Sequence, residues 1–232
     1  MNLLADLLSF LYPGTCPACG TQLRQGEEVL CGNCMAELPY TGYESHRDNP
    51  VARNLCARVP LEAAWALLDF HPKGSVQTLL HNLKYNHMPQ VGRFLGRCMA
   101  QKCMERCGLE GIDYAVPVPL HPAKLKKRGY NQALCLIEGM QEIVPVKSLP
   151  DLLLKREMTQ SQTKKDRVAR WQNVRDGFAL NREVAARIAG GPLHILLVDD
   201  VITTGATLES CCRELLKIPG AKVSVAAVAT PA

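Results

Sequence analysis

The run His194-Ile-Leu-Leu-Val-Asp-Asp-Val-Ile-Thr-Thr-Gly-Ala-Thr207 constrains this chain more than any other segment. Four consecutive apolar residues, Ile195 to Val198, fit a strand buried on both faces, as in a parallel sheet. The strand ends in two adjacent carboxylates, Asp199 and Asp200. A loop of small hydroxyl residues with one glycine follows, and Leu208 to Leu216 then continues with helical spacing. Together these parts make a site at the carboxyl end of a sheet strand, where open α/β folds receive ligands. The loop's backbone N–H groups and the helix start suit a phosphate. The carboxylates suit vicinal hydroxyls or a hydrated Mg²⁺. A sugar phosphate offers both groups at once. The competing reading is a plain strand-to-helix turn with a polar cap, since Thr and Asp are common at helix starts. Two carboxylates set directly on the strand end favour the ligand.

This order of apolar run, Asp-Asp, Thr-Thr-Gly and helix resembles the fingerprint of type I phosphoribosyltransferases, which bind 5-phosphoribosyl-1-pyrophosphate (PRPP). The resemblance implies that Asp199 and Asp200 face the ribose 2′- and 3′-hydroxyls. It also implies that Thr203, Thr204, Gly205, Ala206 and Thr207 wrap the 5′-phosphate, with Val201 in the same PRPP-binding stretch.

With 232 residues the chain is long enough for a full core plus a small accessory module. Its formal charge of +5 is unevenly spread. From His121 to Asn131 there are four cations (Lys124, Lys126, Lys127, Arg128) and no acid. From Lys155 to Arg175 there are seven cations against Glu157 and Asp166. These windows hold +9, so the remainder sums to −4. Charge focused in this way suggests anionic ligands at defined places. Eleven cysteines without a secretory signal argue for a reducing compartment, and hence for a soluble cytoplasmic protein. The apolar stretch Met1 to Tyr12 has no basic n-region, is interrupted by Asp6, and is too short to span a bilayer. It reads as a short helix docked on the body, and no membrane insertion is expected.

Cys16-Pro-Ala-Cys19 and Cys31-Gly-Asn-Cys34 are separated by eleven residues. Two such knuckles place four thiolates tetrahedrally around Zn²⁺, as in a zinc ribbon, with Gly20 and Gly32 in the turns. Disulfides are disfavoured in a cytosol. A redox Cys-x-x-Cys fits poorly in a segment lacking a βαβ pattern. Four protein thiolates leave no open coordination position, so the zinc would be structural. The other seven cysteines (Cys56, Cys98, Cys103, Cys107, Cys135, Cys211, Cys212) lack paired spacing and read as small buried apolar residues.

Residues 1–45 are thus assigned to an amino-terminal helix and zinc ribbon, 46–60 to a linker and 61–232 to the main domain. The linker reading rests on prolines, Gly42 and mixed charge between Pro39 and Pro60. Beyond it, strand and helix patterns alternate: a strand over Ala63 to Phe70, and helices over Ser75 to Tyr85 and Val91 to Cys107. A short strand over Tyr114 to Pro119 precedes a helix from Asn131 to Ile143. An extended Val146 to Leu154, a short strand near Phe178 and a buried strand over Val223 to Val228 complete the pattern. Such alternation implies a mostly parallel twisted sheet flanked by helices.

Ala115-Val-Pro-Val-Pro-Leu-His-Pro-Ala-Lys-Leu-Lys-Lys-Arg-Gly-Tyr-Asn-Gln-Ala133 is the second unusual stretch. Pro117 and Pro119 make sense where a strand breaks into a ligand loop. The order of strand, loop and helix resembles the pyrophosphate loop of the same transferases. More narrowly, the motif is similar to the signature of the ComF family, competence-associated proteins that pair a zinc ribbon with a type I phosphoribosyltransferase fold. The resemblance covers essentially the whole chain. It implies Arg128 and Lys124 as pyrophosphate contacts, with Arg128 joining Asp199 and Asp200 as catalytic and His121 as a further PRPP-binding residue. Lys126 and Lys127 read as a solvated basic turn. The second basic window matches the position of the family's flexible hood over PRPP, with Arg156 and Arg167 as contacts and Thr159, Gln162 and Asn173 at its polar positions. An exposed, charge-laced helix is the alternative after Gln162.

The implied activity is transfer of phosphoribose from PRPP, with Mg²⁺, to an unidentified acceptor with release of pyrophosphate. The resemblance also implies a role in natural transformation, with single-stranded DNA and a DNA-uptake helicase as partners. A non-catalytic single-strand-binding accessory and a PRPP-sensing regulator are the alternatives. The ribbon has one cation (Arg24) against Glu27 and Glu28, so a DNA contact would run along the main domain. Trp171 and Tyr130 are candidates for stacking on a base, with a packing role as the alternative for each. Amidophosphoribosyltransferases of purine synthesis carry a glutaminase domain that opens on a cysteine. With Met1-Asn2 and no such domain, that activity is not expected.

Overall fold

The computed structural model describes residues 14–43, 48–106, 111–155 and 177–232. In chain order these form α1 (Gly32–Ala36), α2 (Pro50–Cys56), β1 (Ala63–Phe70), α3 (Ser75–Tyr85), α4 (Pro89–Arg106) and β2 (Tyr114–Pro117). Next come α5 (Pro122–Arg128), α6 (Gln132–Gln141), β3 (Lys147–Ser148), β4 (Leu153–Lys155) and β5 (Phe178–Leu180). The chain continues through α7 (Arg182–Ile188), β6 (Leu193–Val201), α8 (Ala206–Leu215) and β7 (Ala221–Pro231). The mostly parallel sheet flanked by helices is present. Five strands lie in the order β1-β7-β6-β2-β3, every pairing parallel, while β4 and β5 form a separate antiparallel pair.

Strand alternation divides the core in two. Leu196 and Val198 of β6, with Ala226 and Val228 of β7, face one cluster that contains α3, α4, α6 and ribbon residues. Ile195 and Leu197, with Val223, Val225 and Ala227, face the other, which contains α2, α8, Leu153 and Phe178. Period-two geometry with apolar residues at every position produces a sheet covered on both faces.

The α4–α6 crossing is unusually close. A Cβ at Gly96 would lie 1.9 Å from the Leu136 carbonyl oxygen, and one at Gly139 would lie 1.9 Å from the Arg93 carbonyl oxygen. Only hydrogen side chains permit the two backbones to meet at this distance.

Several local readings differ from the structure. The segment read as linker contains α2, capped by Asn49, whose Oδ1 accepts from the Ala52 N–H at 2.9 Å and whose Nδ2 donates to the Ala64 carbonyl at 2.8 Å. Val51, Ala52 and Leu55 bury against the sheet. Asn-Pro is a helix start, since Pro at N1 lacks only an N–H that has no partner there anyway. The first basic window is not a loop but the helix α5, capped by His121 and stopped at Gly129, whose φ is 80°. The extended stretch 146–154 divides between β3 and β4. Cys56 is exposed, whereas Cys98, Cys103, Cys135, Cys211 and Cys212 are buried as expected. Cys107 and the helix expected over Met1 to Tyr12 fall outside the described residues. Among the described residues no helix is long and apolar enough to cross a membrane.

Candidate functional site

Adjacent strands β2 and β6 send their following helices to opposite faces: α6 packs in one cluster and α8 in the other. Divergence of this kind opens a crevice beyond the carboxyl ends of the two strands. A cavity of about 260 Å³ lies there. Asp199, Asp200 and Thr207 come to it from β6 and α8, and His121, Lys124 and Arg128 from α5 and its cap. A smaller recess of about 50 Å³ adjoins it, lined by Asp199, Val201 and Thr203 through Thr207. The two stretches singled out in the sequence thus meet in one place. Arg156 and Arg167, with the rest of the expected hood and Trp171, lie outside the described residues.

The carboxylate pair is held unevenly. Asp199 Oδ1 accepts the Asp200 N–H at 2.8 Å. Asp200 Oδ2 lies 3.0 Å from Lys84 Nζ. Burial raises the Asp199 pKa to about 8, and the neighbouring Asp200 carboxylate pushes it the same way. The Asp200 N–H and Lys84 oppose this rise.

Beyond the pair, Thr203 and Thr204 are exposed, and Gly205 takes a left-handed φ of 75° as the amino-terminal cap of α8. Its Cβ would strike Leu55 Cδ2 at 2.6 Å and Arg58 Nη2 at 2.8 Å, so glycine is required both by backbone and by space. Arg58 straps this loop from behind. Its Nη2 donates to the Thr204 carbonyl at 2.8 Å, and its Nη1 lies 3.4 Å from Glu209 Oε2 in the first turn of α8. Arg213 Nη2 completes the bracket, donating to the Arg58 carbonyl at 2.7 Å and to Glu209 Oε1 at 3.0 Å. Arg58→Ala is therefore expected to speed amide hydrogen exchange at Gly205 to Thr207 by about tenfold or more, with little change in the β7 amides. Equal protection in both proteins would show that the loop holds its shape without the strap.

Four further cavity residues were not singled out individually in the sequence. Lys84 sits on an amphipathic helix where a solvent-facing lysine is ordinary. Lys155, Gln132 and Phe178 also line the wall. Gln132 Oε1 accepts from Arg128 Nη1 at 2.7 Å, and the Arg128 guanidinium lies 5.3 Å from the Tyr85 ring centre. Lys155 Nζ stands 3.6 Å over the Phe178 ring, and burial lowers its pKa, with Lys124 acting in the same sense. Tyr130 instead serves packing, its half-buried hydroxyl donating to the Leu83 carbonyl at 2.6 Å. Lys126 and Lys127 are exposed and do not line the cavity.

The second constellation is the ribbon. The sulfurs of Cys16, Cys19, Cys31 and Cys34 all lie within 4.8 Å of one another, with Cys19 and Cys31 3.7 Å apart. A ZnS₄ tetrahedron with Zn–S bonds of about 2.3 Å has edges of about 3.8 Å, so the donor set fits a structural zinc. Glu27 braces the second knuckle by accepting the Arg24 and Gly32 N–H groups, each at 2.7 Å. Cys16, Val29, Leu30 and Cys31 are buried against the main body, so the ribbon is part of the core rather than an appendage.

Residues 7–45 match the double zinc ribbon domain family. The DNA utilization protein YhgH of Escherichia coli K12 is 26% identical over 215 residues, covering 91% of this chain and 88% of that protein. Competence protein F of Haemophilus influenzae is 26% identical over 220 residues with the same coverage. Competence protein ComFC of Streptococcus pneumoniae is 38% identical over 110 residues, 46% of this chain and 43% of that protein. Among solved structures, adenine phosphoribosyltransferase from Leishmania tarentolae overlays with a TM-score of 0.36 at 10% identity, covering 84% of this chain and 94% of that one. Fold and site define a zinc-ribbon protein with a parallel α/β domain and a ligand crevice at its strand ends. Within that class, the chain is similar over about nine-tenths of its length to DNA utilization and competence proteins.

Proposed function

We propose that the chain binds PRPP in the crevice between β2 and β6 and transfers its phosphoribosyl group to an acceptor. One observation carries the reading: a single cavity joins four cations (Lys84, Lys124, Arg128, Lys155) to a paired acid, and the recess of the glycine-capped loop adjoins it. Two carboxylates cannot balance four cations, so the cavity calls for an anion. The small recess lined by Thr203 to Thr207 suits a terminal phosphate, because it lies at the amino-terminal cap of α8, where helices favour anions. Asp199 and Asp200 suit the ribose hydroxyls between the two anionic ends.

Breaking the anomeric C1–O bond puts positive character on the ribose ring and negative charge on the departing pyrophosphate. Lys124 and Arg128 would neutralise the leaving group, and Asp200 would orient the sugar. Asp199 and Asp200 would hold a hydrated Mg²⁺, which would supply further charge neutralisation. The sequence similarity to DNA utilization and competence proteins supports a place in DNA uptake. A second reading rests on the exposed cations Lys124, Lys126 and Lys127 along α5, which suit the phosphodiester chain of single-stranded DNA.

Titration calorimetry with PRPP and Mg²⁺ tests the proposal. Saturable binding that the double substitution Asp199→Ala plus Asp200→Ala abolishes is the expected result. Absence of binding by the intact protein, or affinity unchanged in the double variant, would refute it. Repeating the titration with an oligonucleotide present separates the readings, since competition places both ligands in one groove.

A further inference from the structure

Lys84, Leu83 and Asn82 are consecutive in the last turn of α3, and each is held by a different part of the molecule. Lys84 Nζ reaches into the cavity, 3.0 Å from Asp200 Oδ2. Leu83 is fully buried, and its carbonyl accepts the Tyr130 hydroxyl at 2.6 Å. Asn82 Nδ2 donates to the carbonyl of Pro17 at 2.7 Å. Pro17 lies inside the first knuckle, between Cys16 and Cys19. A second link runs beside it, from Glu28 of the ribbon to Arg97 of α4 at 2.7 Å.

We propose that Lys84 is a ligand for the diphosphate end of PRPP, and that the zinc ribbon acts as a positioning element for it through Asn82. The proposal rests on the PRPP reading of the cavity. With no ligand, the ammonium offsets charge on the acid pair. When the diphosphate arrives, Lys84, which lines the same cavity as Lys124 and Arg128, takes one of its oxygens. Asn82 and Lys84 are separated by about 3 Å along the helix axis. A shift of the knuckle's Pro17 carbonyl would therefore move the turn of α3 that carries Lys84. Helix α3 is in this sense a short lever whose outer end is set by the four-cysteine cluster.

Calorimetry with two probes, PRPP·Mg²⁺ and ribose 5-phosphate, separates the parts. Lys84→Ala is expected to weaken PRPP about 30-fold or more while changing ribose 5-phosphate about threefold or less, because only PRPP carries the diphosphate. Lys84→Arg, which restores the charge, is expected to recover most of the PRPP affinity. Asn82→Ala, with zinc content and melting temperature measured on the same sample, is expected to weaken PRPP about fivefold while keeping its zinc. In the Lys84→Ala background the Asn82 substitution should then change nothing further. Should Asn82→Ala lose zinc, Asn82→Ser, which keeps a donor, replaces it in the cycle. Unchanged PRPP affinity in Lys84→Ala, an equal loss for both probes, or additive effects of the two substitutions would overturn the proposal. Failure of the intact protein to bind either probe would instead refute the reading of the cavity itself.

Discussion

Asp199→Asn is expected to melt roughly 5–10 °C above the parent at pH 8 while binding PRPP at least about 100-fold more weakly. The gain in stability follows from the raised pKa. An ordinary value of 3.8 becomes about 8 in the folded protein, because burial and the Asp200 carboxylate disfavour the anion. Below the ordinary value both folded and unfolded chains are protonated, and the carboxyl costs nothing relative to an amide. As pH rises toward 8 the unfolded chain ionises first, so the native state of the parent is progressively destabilised. Above 8 both states are ionised and the difference stays constant. The stability gap between variant and parent should therefore open from about pH 4, reach on the order of 2–4 kcal/mol near pH 8, and then level off. Asparagine keeps an oxygen able to accept the Asp200 N–H, so the loop geometry survives. Melting curves from pH 4 to 9 measure this directly. A variant no more stable than the parent at pH 8, or a gap that narrows with rising pH, would contradict the assignment of a buried, charge-crowded acid.

Gly96→Ala should cost about 3–5 kcal/mol, or abolish folding, although alanine is the better helix former. Its Cβ would be placed 1.9 Å from the Leu136 carbonyl oxygen, a backbone atom that cannot rotate away. Relief requires α4 and α6 to separate by more than an ångström, which opens the contacts among Leu95, Met99, Leu136, Ile137 and Met140, all fully buried. Gly139→Ala meets the reciprocal obstacle at the Arg93 carbonyl and should behave alike. Gly92→Ala should be milder, since the atoms it meets are side chains, Cys135 Cβ at 2.7 Å and Leu83 Cδ1 at 3.0 Å. Gly190, with nothing within 4 Å, is the control and should shift stability by about 0.5 kcal/mol or less. Urea denaturation ranks the four. Equal effects at Gly96 and Gly190 would show that the crossing is looser than described.

What could be read from residues alone follows from how each signal is encoded. β1 and α3 were legible to their ends, because Ala63 to Phe70 is an almost continuous apolar run followed by turn residues and Ser75 to Tyr85 has helical spacing. The acid pair, the Thr-Thr-Gly-Ala-Thr loop and the two knuckles are contiguous motifs, and the chain's local order is enough to place them on their elements. α5 was hidden because His-Pro and Gly flank only seven residues, and the same residues also mark a loop. α2 was hidden because Asn49 and Pro50 also mark a turn and the helix is only seven residues long, with a buried face of only Val51, Ala52 and Leu55. Lys84 and Arg58 were beyond reach for a deeper reason. Arg58 meets the Thr204 carbonyl across 146 residues, and no local pattern records a contact between segments so far apart. Both side chains are common surface cations until topology gives them a partner.

The strand order β1-β7-β6-β2-β3 puts residues 221–231, furthest along the chain of all the described strands, in the second position of the sheet. β1 bonds to the sheet only through that strand, in register from Ala63 with Ser224 to Phe70 with Pro231. During synthesis, β1 and the cysteine module emerge well before β7, and the joining strand begins only about 150 residues after β1 ends. Assembly is thus dominated by encounters between distant segments, which slows the search and leaves the β1 edge open to wrong partners in the meantime. A protein built this way matures late and as a unit, with its ligand crevice completed by the same closing event that unites its two halves.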